Sequence, residues 1–251
     1  MISIVIPSHN RKDTLRRAVD SALAQERPLG QDYEIVIIDG GSVDGAAEYL
    51  DELRGLAHVH VEKLRRDPGM IPCWYLGAAV ARGDWIHFLP DDDWIEPTFL
   101  HRCALMLADD VGCVMTDGMI RFADGTSRQN LMLAPTGHYL SSLIRDALIH
   151  APLTFTPACA LVRRSAALDF LEVARIPHTS QRTRLHDCHM MLGAISSGDR
   201  CAWINEPLVN LGVVEDGITA AACADDGGVR LSEQYAEIKA AWVRNFSGYG
   251  A

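Results

Sequence analysis

WIHFLPDDD, residues 85–93, joins an apolar run to three consecutive carboxylates. Trp85 to Leu89 has the composition of a short buried strand, and Pro90 ends it. Asp91, Asp92 and Asp93 then stand at a strand's carboxyl end, where their mutual repulsion is costly unless a cation neutralises them. An acidic turn that caps a helix starting near Glu96 and Pro97 is the plainer alternative. The neighbouring segments decide between the two.

Upstream, the chain alternates. Residues 2–6 are a β-branched run that Pro7 is expected to stop, and Ser8, His9, Asn10 and Arg11 form a loop. Leu15, Val19, Ala22 and Leu23 recur at helical spacing and predict a helix over 12–25. Residues 33–38 read as a second buried strand ending in Asp39, 40–45 as a tight turn and 46–53 as a helix. A third strand over 58–61, a loop over 65–69 that contains Asp67, and a helix over 71–81 ended by Gly83 complete the approach to Trp85. Four strand–helix alternations in the first 110 residues predict a parallel sheet with right-handed crossovers. Ligands of such sheets bind beyond the carboxyl ends of the strands. Pro7 to Arg11, Asp39, Asp67 and the acidic run all fall on that edge.

Downstream of Asp110 the alternation stops. Residues 113–116 and 119–122 read as strands, with Asp124 and Gly125 as a hairpin turn. A loop over 129–138, a helix over 139–149 and a strand over 158–162 follow. Residues 175–184 hold three arginines and no apolar periodicity, which suggests a mobile basic loop. A helix over 186–197, a strand over 201–204 and an amphipathic helix over 232–246 close the chain. The expectation is one domain over 1–251, in which residues 111–251 form a smaller lobe built onto the same sheet.

Composition narrows the classes. The 251 residues are 48% hydrophobic and 22% charged, ordinary for a globular protein with a full core. Lys plus Arg is 23 against Asp plus Glu 33, a net charge of −10, which argues against a general nucleic-acid binder. The seven cysteines are odd in number, contain no C-x-x-C pair and lie mostly in apolar stretches, so free buried thiols in a reducing compartment are expected. Residues 1–4 enter a strand without a basic leader, and no apolar run approaches the roughly 18 residues of a membrane span. The expected location is cytoplasmic, with a peripheral membrane contact left open.

G-x-G-x-x-G, G-x-x-x-x-G-K-[ST] and G-x-S-x-G are all absent, so the common dinucleotide, P-loop and nucleophile-elbow readings fail. His186, Asp187, Cys188 and His189 invite a metal reading, but no second Cys/His pair with zinc spacing accompanies them. The triple aspartate is a hard-oxygen set suited to Mg²⁺ or Mn²⁺, with phosphate oxygens completing the shell.

The order of these motifs resembles family 2 glycosyltransferases of the GT-A fold. The matching stretches are IVIPSHNR (4–11), EIVIIDGGSVDG (34–45), DPGMIPCWYLGAAVARGDWIHFLPDDDW (67–94) and HDCHMMLGAISSG (186–198) followed by WINEPLVNL. The resemblance covers 1–110 well and the remainder through 186–211. It implies an α/β fold of GT-A type, with a mostly parallel central sheet, flanking helices, a nucleotide-binding half (1–110) and an acceptor half (111–251). Pro7, Ser8, His9 and Asn10 would lie along the donor nucleoside. Asp39 would accept from the base, usually uracil, whose imide N–H suits a carboxylate. Asp67 matches a loop that reaches the nucleotide.

In the acidic stretch Pro90 replaces the first carboxylate of the commoner Asp-x-Asp-Asp pattern, and Asp91 with Asp93 restores the spacing one residue on. The resemblance implies that Asp92 faces the ribose or metal shell. Asp93, with Asp91 as a substitute ligand, would hold Mn²⁺ or Mg²⁺ against the diphosphate. Asp187 would be the general base of an inverting transfer, with His186 in place of the commoner Glu. Arg182 and Arg184 are proposed to fold over the diphosphate. The implied partners are a nucleoside-diphosphate sugar, with UDP the expected nucleotide, and a carbohydrate, lipid-linked or small-molecule acceptor. A nucleotidyltransferase and a non-catalytic binding relative remain as alternatives.

Overall fold

The computed structural model describes residues 1–28, 30–130, 134–150, 156–171 and 186–213, together with 233, 236, 237, 239 and 240; for His186 it describes the backbone alone. The first half runs β1 (Ile2–Ser8), α1 (Lys12–Leu23), β2 (Tyr33–Asp39), α2 (Ala46–Leu53), β3 (Val59–Lys63), α3 (Met70–Val80) and β4 (Trp85–Phe88). After the acidic turn come β5 (Trp94–Ile95), α4 (Phe99–Ala104), β6 (Val111–Arg121), β7 (Ser127–Gln129), β8 (Gly137–Leu140) and α5 (Ser141–His150). Then follow β9 (Ala160–Arg163), α6 (Arg164–Leu171), α7 (His186–Ser196) and β10 (Arg200–Gly212).

All ten strands join one sheet in the order β3-β2-β1-β4-β9-β6-β10-β5, with β7 on β6 and β8 on β10. The predicted parallel half is β3-β2-β1-β4. β9 inserts antiparallel between β4 and β6, and β6 pairs parallel with β10. The strands of both halves therefore share one sheet, as expected, and β4 and β6 point the same way.

Both faces of the sheet are covered, which explains the near-continuous apolar strands. Ile4, Ile6, Ile35 and Ile37 pack with Leu15, Leu50, Phe99 and Leu100 on one side. Val5, Val36, Ile38, Phe88, Cys113, Met115 and Trp203 pack with Trp74, Ile144, Ala167, Cys188 and Met191 on the other. Burial of apolar surface on this scale is the main force holding the fold. Cys73, Cys103, Cys113, Cys159, Cys188 and Cys201 are buried free thiols, as the sequence suggested. Among the described residues no helix is long and apolar enough to cross a membrane.

Several boundaries moved, each for a local reason. Pro7 does not stop β1, which continues to Ser8. Val5 accepts from Leu89 on the β4 side, so Pro7, two residues on, faces that same side beyond the last β4 pair, where no ladder N–H is needed. Gly83 is not a left-handed helix cap: a side chain there would strike Ser3 Oγ (2.6 Å) and Met1 O (2.8 Å), so the glycine permits close approach to β1. The two short strands predicted over 113–122 are one, because β9, β10 and β7 pair β6 along its length and override the break at Asp117-Gly118. Tyr139 belongs to β8, and α5 begins at Ser141. β10 extends to Gly212, with Pro207 tolerated at a register shift. The expected loop over 175–184 and most of the expected helix over 232–246 lie outside the described residues.

Candidate active site

The carboxyl ends of β1 and β2 form a rim stitched by backbone. Gly40 N–H donates to the Ser8 carbonyl (2.8 Å), Asn10 N–H to Ser42 Oγ (2.8 Å) and Val43 N–H to Asn10 Oδ1 (2.8 Å). Asn10 takes a left-handed conformation, φ 53°, which asparagine tolerates and which aims its amide at both loops. Its Nδ2 donates to His9 Nε2 (3.0 Å), which puts the histidine proton on Nδ1, facing the Gly40 carbonyl at 3.1 Å. Asp39, 3% exposed, accepts from Ser42 N–H (3.1 Å). Asp67 accepts from Gly69 N–H (2.8 Å), and its carboxylate lies 3.2 Å from where a Gly40 side chain would begin. Pro7, Ser8, His9, Asn10, Asp39 and Asp67 are thus brought to one rim, as the sequence predicted.

The acidic turn follows β4 on the same edge. Asp93 is 6% exposed and accepts from Gly212 N–H (2.9 Å). Burial, followed by repulsion from Asp92 and Asp91, pushes its carboxyl well above the usual range. Asp91 is pushed up to about 7, again mainly by burial, against the opposing pull of the Ser8 hydroxyl. Arg11 approaches the Asp92 carboxylate at 3.7 Å. Arg17, stacked 3.9 Å over the Trp94 ring, donates to the Asp92 carbonyl (2.7 Å) instead of to a carboxylate. The peptide is wedged from behind, since a side chain on Gly212 would sit 2.2 Å from the Asp92 carbonyl oxygen. The cluster is therefore held by polar contacts, with three carboxylates crowded into one turn.

What that cluster can hold follows from its chemistry. Hard carboxylate oxygens with protonation equilibria raised by burial and mutual repulsion suit a divalent cation, which would reverse both effects. Among the described residues no group of three or more His, Cys, Asp or Glu side chains is gathered for a metal ion. Asp91 and Asp93 fit a cation that draws its remaining ligands from a phosphorylated substrate.

Asp187 lies in the first turn of α7, partly buried, and its Oδ1 accepts from Cys188 N–H (2.6 Å). The far end of α7 is pressed onto the start of β6: a side chain on Gly112 would meet Ala194 O at 2.7 Å and Gly198 N at 2.6 Å. Seven residues of helix separate Ala194 from Asp187, about 10 Å. That length carries Asp187 toward the carboxyl end of β6, the edge that bears the acidic turn. Arg182 and Arg184 lie outside the described residues. Trp74 is 3% exposed and stacks on Phe88, so it belongs to the core.

The sequence placed Arg11 on this rim without a role, whereas Arg17 was legible only as a polar position on an amphipathic helix. Asp117 is fully buried in β6, with its carboxyl pushed up to about 6 by burial. A charged residue inside an otherwise apolar strand is the available sign, but Asp117-Gly118 also has the composition of a break between two strands.

Comparison with known proteins fits this geometry. TuaG of Bacillus subtilis (strain 168), named for teichuronic acid biosynthesis, is 23% identical over 222 residues, 88% of this chain and 82% of TuaG. An undecaprenyl-phosphate 4-deoxy-4-formamido-L-arabinose transferase of Pectobacterium atrosepticum is 27% identical over 215 residues, 76% of this chain and 65% of that protein. Among solved structures, residues 1–349 of S. aureus TarS superpose with a TM-score of 0.68 at 16% identity, covering 98% of this chain and 72% of that one. The same TarS segment has been solved with UDP-GlcNAc (TM-score 0.68, 15% identity, 86% of this chain and 59% of that one). The profile described as Glycosyl transferase family 2 matches residues 3–171, more than half of the sequence, and on that match the chain belongs to glycosyltransferase family 2.

Proposed function

We propose that the protein moves a sugar from a nucleoside-diphosphate donor, UDP in the first instance, to an acceptor hydroxyl with inversion at the anomeric carbon. The observation that carries this reading is the acidic turn Asp91-Asp92-Asp93 on the same rim as Asp39, with Asp93 buried and the Asp91 and Asp93 carboxyls both pushed up. TarS, a structural neighbour, is known in complexes with UDP-GlcNAc and with UDP, which supports a uridine donor here.

In this reading Ser8 to Asn10, Asp39 and Asp67 hold the nucleoside, with Asp39 accepting from the uracil imide. Asp93 and Asp91 would hold Mn²⁺ or Mg²⁺ against the diphosphate, and a cation bound there supplies charge neutralisation for the departing nucleotide. Asp187 takes the proton of the acceptor hydroxyl as the oxygen–C1 bond forms and the C1–phosphate oxygen bond breaks. It stands in the first turn of α7, at the positive end of the helix dipole. Arg182 and Arg184 would close over the diphosphate. The acceptor is a carbohydrate, lipid-linked or small-molecule hydroxyl. The relative named for undecaprenyl phosphate makes a lipid-linked partner, met peripherally at a cytoplasmic membrane face, the first to try.

The test is a thermal-shift screen of UDP, GDP, TDP and CDP, each with Mn²⁺ or EDTA. A shift for UDP that EDTA abolishes is expected. Stabilisation by a different nucleotide would move the assignment away from uracil, and stabilisation that ignores EDTA would remove the metal. Release of pyrophosphate from a nucleoside triphosphate would point to sugar-nucleotide synthesis instead of transfer.

A further inference from the structure

Asp117 takes no part in the mechanism above, yet it is a fully buried carboxyl in the middle of the sheet. Such a group is costly unless its hydrogen bonds are filled. Its Oδ2 accepts from Gln129 Nε2 on the neighbouring strand β7 (3.2 Å), and Gln129 itself is exposed. The Trp203 indole of β10 lies near enough to favour the ionised Asp117 carboxylate, though Nε1 makes no hydrogen bond of normal distance and angle to it. Asp117 Oδ1 and Trp203 Nε1 are both buried and without a hydrogen-bond partner among the described residues. One spare acceptor next to one spare donor is the complement of a hydroxyl group, which gives a hydrogen bond to the first and accepts one from the second.

Its position is set by register. Val162 of β9 pairs with both Ile86 of β4 and Cys113 of β6, so Ile86 and Cys113 are level. Four residues further along each strand, Asp117 is level with Pro90, where β4 gives way to the acidic turn. The two strands are separated by two strand spacings, about 10 Å. Cys113 and Met115 face the layer that contains α7, and alternation turns Asp117 to the same side, toward the end of the sheet that Asp187 overhangs. On the other flank, the thiol of Cys159 lies within electrostatic reach of both Asp93 and Asp117. Asp117 therefore sits between the carboxylates assigned to the diphosphate and the carboxylate assigned to the acceptor proton. In an assembled complex that interval is filled by the sugar in transit.

We propose that Asp117 and Trp203 form a hydroxyl-binding subsite for the transferred sugar, with Gln129 as its cover in the empty protein. The subsite rests on the donor reading given above. It would make Asp117 a specificity residue that distinguishes donors by their sugar and is indifferent to the nucleotide. The experiment compares binding of UDP with that of UDP-N-acetylglucosamine, UDP-glucose and UDP-galactose, all with Mn²⁺, by calorimetry on the wild type, Asp117→Asn and Trp203→Phe. Asp117→Asn is nearly isosteric, and unfolding midpoints of all three proteins check integrity. Where Asp117→Asn does not fold, Trp203→Phe carries the test.

UDP affinity is expected to stay within about twofold of wild type, while affinity for the best-bound UDP-sugar falls about tenfold or more in Asp117→Asn, and less in Trp203→Phe. Equal losses for UDP and UDP-sugar, or no loss for either, would overturn the subsite. A wild type that binds UDP but prefers none of the sugars over it would also overturn it. Failure of the wild type to bind UDP at all is a failure of the donor reading itself, and it takes the subsite with it.

Discussion

Residues 1–110 and 111–213 share one sheet but build their parts of its rim differently. In the first half, backbone N–H groups fasten the loops to one another: Gly40 to the Ser8 carbonyl, Asn10 to the Ser42 hydroxyl, and Val43 to the Asn10 side chain. In the second half, the proposed roles fall to single side chains on long secondary structures, Asp187 in the first turn of α7 and Asp117 in the middle of β6. A nucleotide has constant geometry and suits a cradle preformed by backbone. Sugars and acceptors differ by single hydroxyls and suit side chains that can be exchanged without refolding the rim. The acidic turn is where the halves meet, because Gly212 at the end of β10 donates to Asp93 just after β4.

Substitutions on each side should separate the two kinds of construction. The largest expected effect is on Asp187→Asn, which should slow transfer roughly 10²- to 10⁴-fold while UDP affinity stays within about twofold. Equal loss of both, measured by kinetics and calorimetry, would break the division between base and cradle.

Next in size is a pH effect in the first half. His87 is fully buried with its ring tilted against Phe99, and burial holds its imidazole down at about 4, against an ordinary 6.5. With the folded pKa below the unfolded one, its neutral form gives full stability above pH 6.5, and that contribution is lost as pH falls toward 4. The loss amounts to about 3 kcal/mol. His87→Asn retains a donor for the Ala160 carbonyl (now 2.9 Å from Nδ1) and should flatten the stability profile across that window. An unchanged acid limb in urea unfolding would place the sensitivity elsewhere.

Two glycine substitutions then sharpen the contrast. Gly112→Ala crowds Gly198 and Ala194, and Gly212→Ala crowds the Asp92 carbonyl. Each should cost about 1–3 kcal/mol of stability. Only Gly212→Ala should also weaken Mn²⁺-dependent UDP binding. Matching binding losses in both would mean that the turn is not the specific junction described here.

The first half was legible because its signals are local. Two-sided apolar strands, helical spacing and turn glycines each fix a short element, and alternation then places every loop at the sheet edge. The recognised motifs brought Asp39, Asp67 and Asp91 to Asp93 to the rim where the structure has them. What failed depends on partners distant in sequence. Pro7 stays in its strand because β4 ends early, Gly83 is small because β1 passes close, and β6 is unbroken because three other strands pair with it. Arg17 and Asp117 were missed for the same reason: their significance comes from Asp92, 75 residues away from Arg17, and from Trp203 on another strand.

The most direct measurement is the affinity of UDP for the wild-type protein and Asp93→Ala, each in Mn²⁺ and in EDTA. A donor diphosphate held through a cation at the acidic turn predicts at least tenfold tighter binding in Mn²⁺ for the wild type, about 1.4 kcal/mol. For Asp93→Ala it predicts the same weak affinity in both conditions. Equal wild-type affinity with and without Mn²⁺, or a metal effect that survives Asp93→Ala, would contradict it.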